Sequence, residues 1–134
     1  MEQILEDAGL GPTMSEDAAT GAPVANARLG EITFWVRALV CAGAPKRCEN
    51  LVLFANFELG RGVSPTDYRI VNRFNDSQVF GRAYVIESNN QVGVDYVIEL
   101  GGGVSPEHVA QNVSRWADVV SAFVASFSGG DAGS

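Results

Sequence analysis

Two cysteines, a single histidine, an arginine and a pair of asparagines are the side chains from which this sequence can build chemistry. Cys41 and Cys48 flank Ala-Gly-Ala-Pro-Lys-Arg, a spacing that sets them on either side of a hairpin loop. A disulfide is geometrically easy there, and two reduced structural thiols fit the pattern equally well. Zinc takes about four ligands, and only His108 is on hand to join them. A thiol nucleophile needs a base beside it, and the sequence places no His or basic carboxylate next to either sulfur. The best enzymatic set is Asn72, Asn75, Arg82, Asp95 and His108 converging on one small pocket. Taken singly, these residues read as structural. Asn72 and Asn75 flank Phe74 at a helix end, where Asn caps or turns the chain. Arg82 sits on an otherwise apolar strand face and needs Asp95, Glu99 or Asp76 as its partner. His108 lies in the first turn of a helix, as a surface imidazole. Gly101-Gly102-Gly103 lacks the later glycine of a dinucleotide-binding turn. The expectation is a non-enzymatic chain without cofactor or metal.

These residues are positioned by two copies of one junction, Gly-Val-Ser-Pro at Gly62 to Pro65 and at Gly103 to Pro106. Ser64 and Ser105 can accept from the free N–H groups of a new helix, and Pro65 and Pro106 occupy the first helical position, where a missing N–H costs nothing. Asp67 makes the first copy a capping box, and Val63 and Val104 can staple against Tyr68 and Val109. Each junction therefore turns a strand into a helix.

The remaining elements follow from periodicity. A short helix covers Gln3 to Ala8. Leu10 to Pro23 is rich in Gly, Pro, Ser and acid and reads as a mobile connection or a short irregular strand. Strands are expected over Val24 to Arg28, over Ile32 to Val40 with Ile32, Phe34, Val36, Ala38 and Val40 on one face, and over Asn50 to Leu59, then over Phe80 to Glu87, with Phe80, Tyr84 and Ile86 facing one way, and Val92 to Leu100 around the turn Ser88-Asn89-Asn90-Gln91. Helix Pro65 to Asn75 turns Tyr68, Val71 and Phe74 inward. In the last helix, Pro106 to Phe127, Val109, Val113, Trp116, Val120, Phe123 and Phe127 form a seam suited to lying along a sheet. The expected class is α+β in the order α-β-β-β-α-β-β-α: a five-stranded antiparallel sheet with helices mainly on one face, one domain over 1–127 and a flexible tail over 128–134.

One face of that sheet takes the helices. On the other, Trp35, Leu39, Val52, Phe54, Val85 and Val97 alternate outward, a larger apolar surface than a monomer readily exposes. Trp35, Val52, Phe54, Arg82, Val85 and Val97 are therefore the candidate binding residues, and a homodimer is the simplest covering. Net charge is −7 at pH 7 and the basic residues are scattered, which argues against nucleic acid and suits solubility or a basic protein partner. No apolar run reaches the ~18 residues of a membrane span. The acidic start is unlike a signal peptide, so the chain as written is expected in the cytoplasm, or in the periplasm if a signal was removed and Cys41 and Cys48 are bridged.

Asn72-Arg73-Phe74-Asn75, then Phe80-Gly81-Arg82-Ala83-Tyr84, the second hairpin, Gly103-Val104-Ser105-Pro106 and Trp116 together resemble the bacterial YbjN family, designated sensory transduction regulators. The resemblance covers about residues 30 to 127 and reaches the first helix through Leu5, Ala8 and Gly9; Gly11 to Ala27 matches poorly. Phe74 stands where the family usually carries Trp, and both are large aromatic anchors. The paired cysteines are similar to those of some members. The resemblance implies a fold like that of type III secretion chaperones, which dimerise and hold a segment of another protein. It implies no enzymatic activity and a protein client that it does not name, and it makes Asn72, Phe74, Asn75, Phe80, Gly81, Arg82, Tyr84 and Trp116 family-motif residues with a structural role.

Overall fold

The structure, a computed structural model, describes residues 1–43 and 47–127, so the tip of the cysteine hairpin and the tail expected at 128–134 lie outside the described residues. Strands β1 (Thr13–Glu16), β2 (Pro23–Leu29), β3 (Ile32–Ala42), β4 (Arg47–Glu58), β5 (Arg82–Ile86) and β6 (Gln91–Glu99) form one sheet in the order β1-β2-β3-β4-β6-β5. Every neighbouring pair is antiparallel. Helices α1 (Glu2–Asp7), α2 (Pro65–Ser77) and α3 (Pro106–Phe127) complete an α+β fold.

Strict alternation decides which side of the sheet is dry. Phe34, Val36 and Ala38 of β3, Leu51, Leu53 and Ala55 of β4, and Val92, Val94, Tyr96 and Ile98 of β6 are all buried. Onto them α3 lays Val109, Val113, Trp116, Val120 and Phe123. Trp116 meets Phe34 edge to face at 5.6 Å, and Phe123 stands between Phe57 at 5.8 Å and Phe74 of α2 at 5.4 Å. Helix α1 packs beside α3 and buries Leu5, with Leu10 following it inward. Among the described residues the buried Trp116 indole N–H has no hydrogen-bond partner, and its ring serves packing.

The sheet has six strands where five were expected. The additional strand, β1, falls in the acidic, Gly-rich stretch; it is short, and only Met14 reaches the core, so its apolar signal is weak. Backbone pairing with β2, rather than side-chain burial, holds it. Val40 was expected on the inner face but is 61% exposed, because its backbone takes a left-handed φ of 54°. The alternation resets there, and Cys41 packs inward with its cross-strand partner Cys48, the two joined by a disulfide. Tyr68, expected inward, is exposed. Phe80, expected on a strand face with Tyr84, precedes β5 and lies on the helix side. Gly81, at φ +83°, makes that turn where a Cβ would sit 2.7 Å from Val119 Cγ1.

The first strand-to-helix junction closes around a charge. Asp67, fully buried at the third position of α2, accepts from the Ser64 backbone N–H at 2.8 Å and from both Arg61 Nη atoms at 2.8 Å. The Arg61 hydrogen bonds, with the Ser64 N–H adding to them, hold its carboxyl down at about 2. At the second junction Ser105 Oγ accepts from the His108 N–H at 3.1 Å, with no carboxylate. Because the folded-state pKa is depressed, the Asp67 contribution is complete above its ordinary value of 3.8 and is lost as pH falls through about 2. Asp67→Asn is expected to lower stability by about 2 kcal/mol at neutral pH. In urea titrations the gap between variant and native chain should close as pH drops across that window; a gap that persists below it would assign the effect to packing.

Candidate functional site

The sheet face opposite the helices is assembled by register. Thr13, Asn26, Trp35, Phe54, Asp95 and Arg82 are successive Cα partners across all six strands, and Ser15, Val24, Arg37, Val52 and Val97 form the adjacent row. Side chains directly opposite one another on such rows touch, so the alternation that fills the core also gathers Trp35, Phe54, Val52 and Val97 into one patch. Trp35 is 40% exposed, Leu39 38% and Val97 52%, while Val52 and Phe54 are half-buried among them. No element of the described chain covers this face, because all three helices pack on the other side.

Charge is placed at the patch margins and locally compensated. Arg82 donates to Asp95 through Nε at 3.2 Å and Nη2 at 2.6 Å, and its guanidinium lies 5.4 Å from the Tyr84 ring centre. Tyr84 extends over Gly93, where a Cβ would meet its ring at 2.5 Å, and donates to Asn56 Oδ1 at 3.4 Å. Burial, reinforced by the Asp95 charge, pushes the Tyr84 phenol above its usual range, so it is a neutral hydroxyl at physiological pH. At the opposite margin the connection after β1 folds on itself. Asp17 Oδ1 accepts from the N–H groups of Ala19 and Thr20 at 2.9 Å each, and Oδ2 pairs with Arg37 at 3.1 Å. Those two backbone N–H groups lead in holding the Asp17 carboxyl below its ordinary value. Between this turn and the sheet runs a groove of about 490 Å³ lined by Glu16, Asp17, Val24, Trp35, Arg37 and Phe54.

The side chains offered as a catalytic set are scattered. Arg82 and Asp95 lie on the open face. Asn75, on α2, donates to the Ala83 carbonyl at 3.1 Å and accepts the Ala83 N–H at 2.8 Å. Asn75 therefore satisfies both backbone groups of a residue on edge strand β5, in the manner of a neighbouring strand. Asn72 is exposed on α2 and takes no part in this clamp. His108 contacts Asn112, whose Oδ1 accepts from Tyr96 Oη at 2.6 Å, and Arg115 donates to that hydroxyl while stacking 4.1 Å over Phe80. Cys41 and Cys48 lie at the far end of the β3–β4 hairpin.

Of the proposed binding residues, Trp35, Val52, Phe54, Arg82 and Val97 share the open face. Val85 does not: it pairs with buried Val92, alternates with buried Ala83 and packs on the core. The strand begins at Arg82 rather than Phe80, so Phe80 and Val85 do not follow one alternation from a common start. The contribution of Asp17 and Arg37 was missed. Their spacing of 20 residues carries no local signal, and only the β2–β3 hairpin returns one to the other.

The fold is a one-sided antiparallel α+β layer whose second sheet face is largely apolar. The family model of YbjN, described as "Putative bacterial sensory transduction regulator", matches residues 1–128, and the chain belongs to that family. Among solved structures, it is similar to the crystal structure of YbjN from E. coli, described as "a putative transcription regulator", with a TM-score of 0.60 at 16% identity over 91% of this chain and 84% of that one. At that identity the likeness speaks to the fold alone. No curated protein matches the chain.

The Arg82 side chain is 72% exposed, so its pair with Asp95 is worth under about 1 kcal/mol. The Asn75 clamp serves two half-buried backbone groups and is worth about 1–2 kcal/mol. Urea midpoints of Arg82→Ala and Asn75→Ala should therefore fall in that order, Asn75 costing more; the reverse order would place Arg82 in a tighter network than its exposure implies.

Proposed function

We propose that this protein is a non-enzymatic regulatory module that acts by holding another protein chain against the open face of its sheet. The observation that carries this reading is the continuous apolar patch of Trp35, Val52, Phe54, Leu39 and Val97 on a face that none of the three helices covers. The resemblance to type III secretion chaperones, which hold a segment of another protein, supports the reading by analogy of fold, and the family description as a regulator agrees with a role without chemistry. Nucleic acid fits poorly, because the chain's net charge is −7 and, of the cations on this face, Arg37 and Arg82 are each paired with a carboxylate, which leaves Arg28 alone rather than a basic stripe. Self-association through the same face gives a homodimer, the simplest form of such binding.

Among the described residues, no helix is long and apolar enough to cross a membrane. The Cys41–Cys48 bridge favours an oxidising compartment such as the periplasm. Alkylation of unreduced host extracts is then expected to leave both cysteines unlabelled, and full labelling would place the chain in a reducing compartment.

Val97→Asp puts a charge at the centre of the open face without touching the core, whereas Tyr68→Asp does the same on the helix side. Proteins cross-linked to the tagged chain in its native host are expected to be lost with the first variant and retained with the second. Light scattering on the purified chain separates a self-dimer, split by Val97→Asp, from a monomer that awaits a client. Identical partner profiles for native chain and both variants, with a monomer throughout, would overturn the reading.

A further inference from the structure

At the carboxy-terminal end of α3 the core is incompletely filled. Phe57 of β4, Val92 of β6 and Phe123, Val124 and Phe127 of α3 line a cavity of about 180 Å³. Val92 and Phe123 are buried and form its floor, whereas Phe57, Val124 and Phe127 are half-buried and form a rim that solvent reaches. Close-packed interiors leave few voids larger than a water molecule, and a water held in one needs polar partners. None of these lining side chains carries a nitrogen or an oxygen, so they offer water nothing to bond. The sequence that follows Phe127, Ser-Gly-Gly-Asp-Ala-Gly-Ser, has no apolar side chain larger than a methyl group and brings none of the size needed to fill the space.

The walls also favour one shape of occupant. Phe123 meets Phe57 at 5.8 Å with the planes inclined by 33°, Phe127 at 5.2 Å and 54°, and Phe74 edge to face at 5.4 Å. Rings about 4.5–7 Å apart attract one another beyond the area that they bury, so a further ring placed here joins a cluster already built. An apolar cavity of about 150 Å³ walled by Leu, Ile and Phe stays dry and takes up benzene, which sets the size. We propose that this cavity is a binding site for a small uncharged aromatic molecule, one ring with at most a short apolar substituent. A hydroxyl on that ring finds no side-chain partner in the lining, and a carboxylate finds no cation there. The cavity lies on the helix side of the sheet, away from the open face, so this inference goes beyond the protein-binding reading and does not depend on it.

The test uses the intact chain and four probes, toluene, its isostere phenol, methylcyclohexane and benzoate, with the valine methyl signals followed by NMR. Saturable shifts at Val92 and Val124 are expected with toluene, while Val52 and Val97 on the open face stay in place. Phenol is expected to bind about ten-fold more weakly, because its hydroxyl goes unpaired. Methylcyclohexane should be weaker by about three- to ten-fold, for want of a ring face, and benzoate should not bind. Val124→Phe, which fills the cavity from its rim, is expected to abolish the toluene shift at Val92 without lowering the melting temperature. Absence of a saturable shift at Val92 and Val124 in a folded native spectrum would overturn the proposal. So would shifts confined to Val52 and Val97, or phenol or methylcyclohexane binding as tightly as toluene. The probe series on the native chain decides the matter even where the variant does not fold, and a negative result removes this site while the Val97→Asp comparison still decides the protein-binding reading.

Discussion

Helix α3 packed along the inner face of the sheet is the contact on which the rest of the structure depends. Trp116 against Phe34 and Phe123 between Phe57 and Phe74 tie the two longest strands, the second helix and the carboxy-terminal helix into one aromatic spine. Helix α1 then has a flank to lie on, and Val119 closes against Gly81 at the entry to β5. Removing that spine would leave the sheet with both faces bare, a state that buries too little apolar surface to offset the entropy of ordering the chain.

One-sided packing has a functional consequence. Alternation places a side chain outward for every one placed inward, and here the outward set includes Trp35, Val52, Phe54 and Val97 rather than the lysines and glutamates that usually face water. Arg37 and Arg82 on that face are paired with carboxylates, Arg28 at its edge enters no ion pair among the described residues, and Tyr84 lies over Gly93.

Edge strands explain two further features. At β5, the amide of Asn75 stands in for a neighbouring strand and occupies both backbone groups of Ala83, so this end of the sheet resists pairing with another chain. At β1 the edge is short, and the chain turns away through the self-bonded Asp17 loop. Neither edge is thereby left as a long unpaired strand.

Local rules in the sequence determined the elements and their class. Period-2 alternation marks β3, β4 and β6, the four-three seam marks α3, and Gly-Val-Ser-Pro marks both helix starts, because each depends on neighbours within a few residues. Those rules also separated Trp35, Phe54 and Val97 from Phe34, Leu53 and Val94 without any knowledge of strand order. They misplaced Val85, Val40, Tyr68 and Phe80, where a strand start, a left-handed backbone or a helix's rotation is fixed by contacts distant in sequence. Strand β1, the Asn75 clamp on Ala83 and the Asp17–Arg37 pair were decided by the tertiary structure alone. Each joins polar groups whose pairing carries no hydrophobic period, and only the assembled sheet brings them within hydrogen-bonding distance.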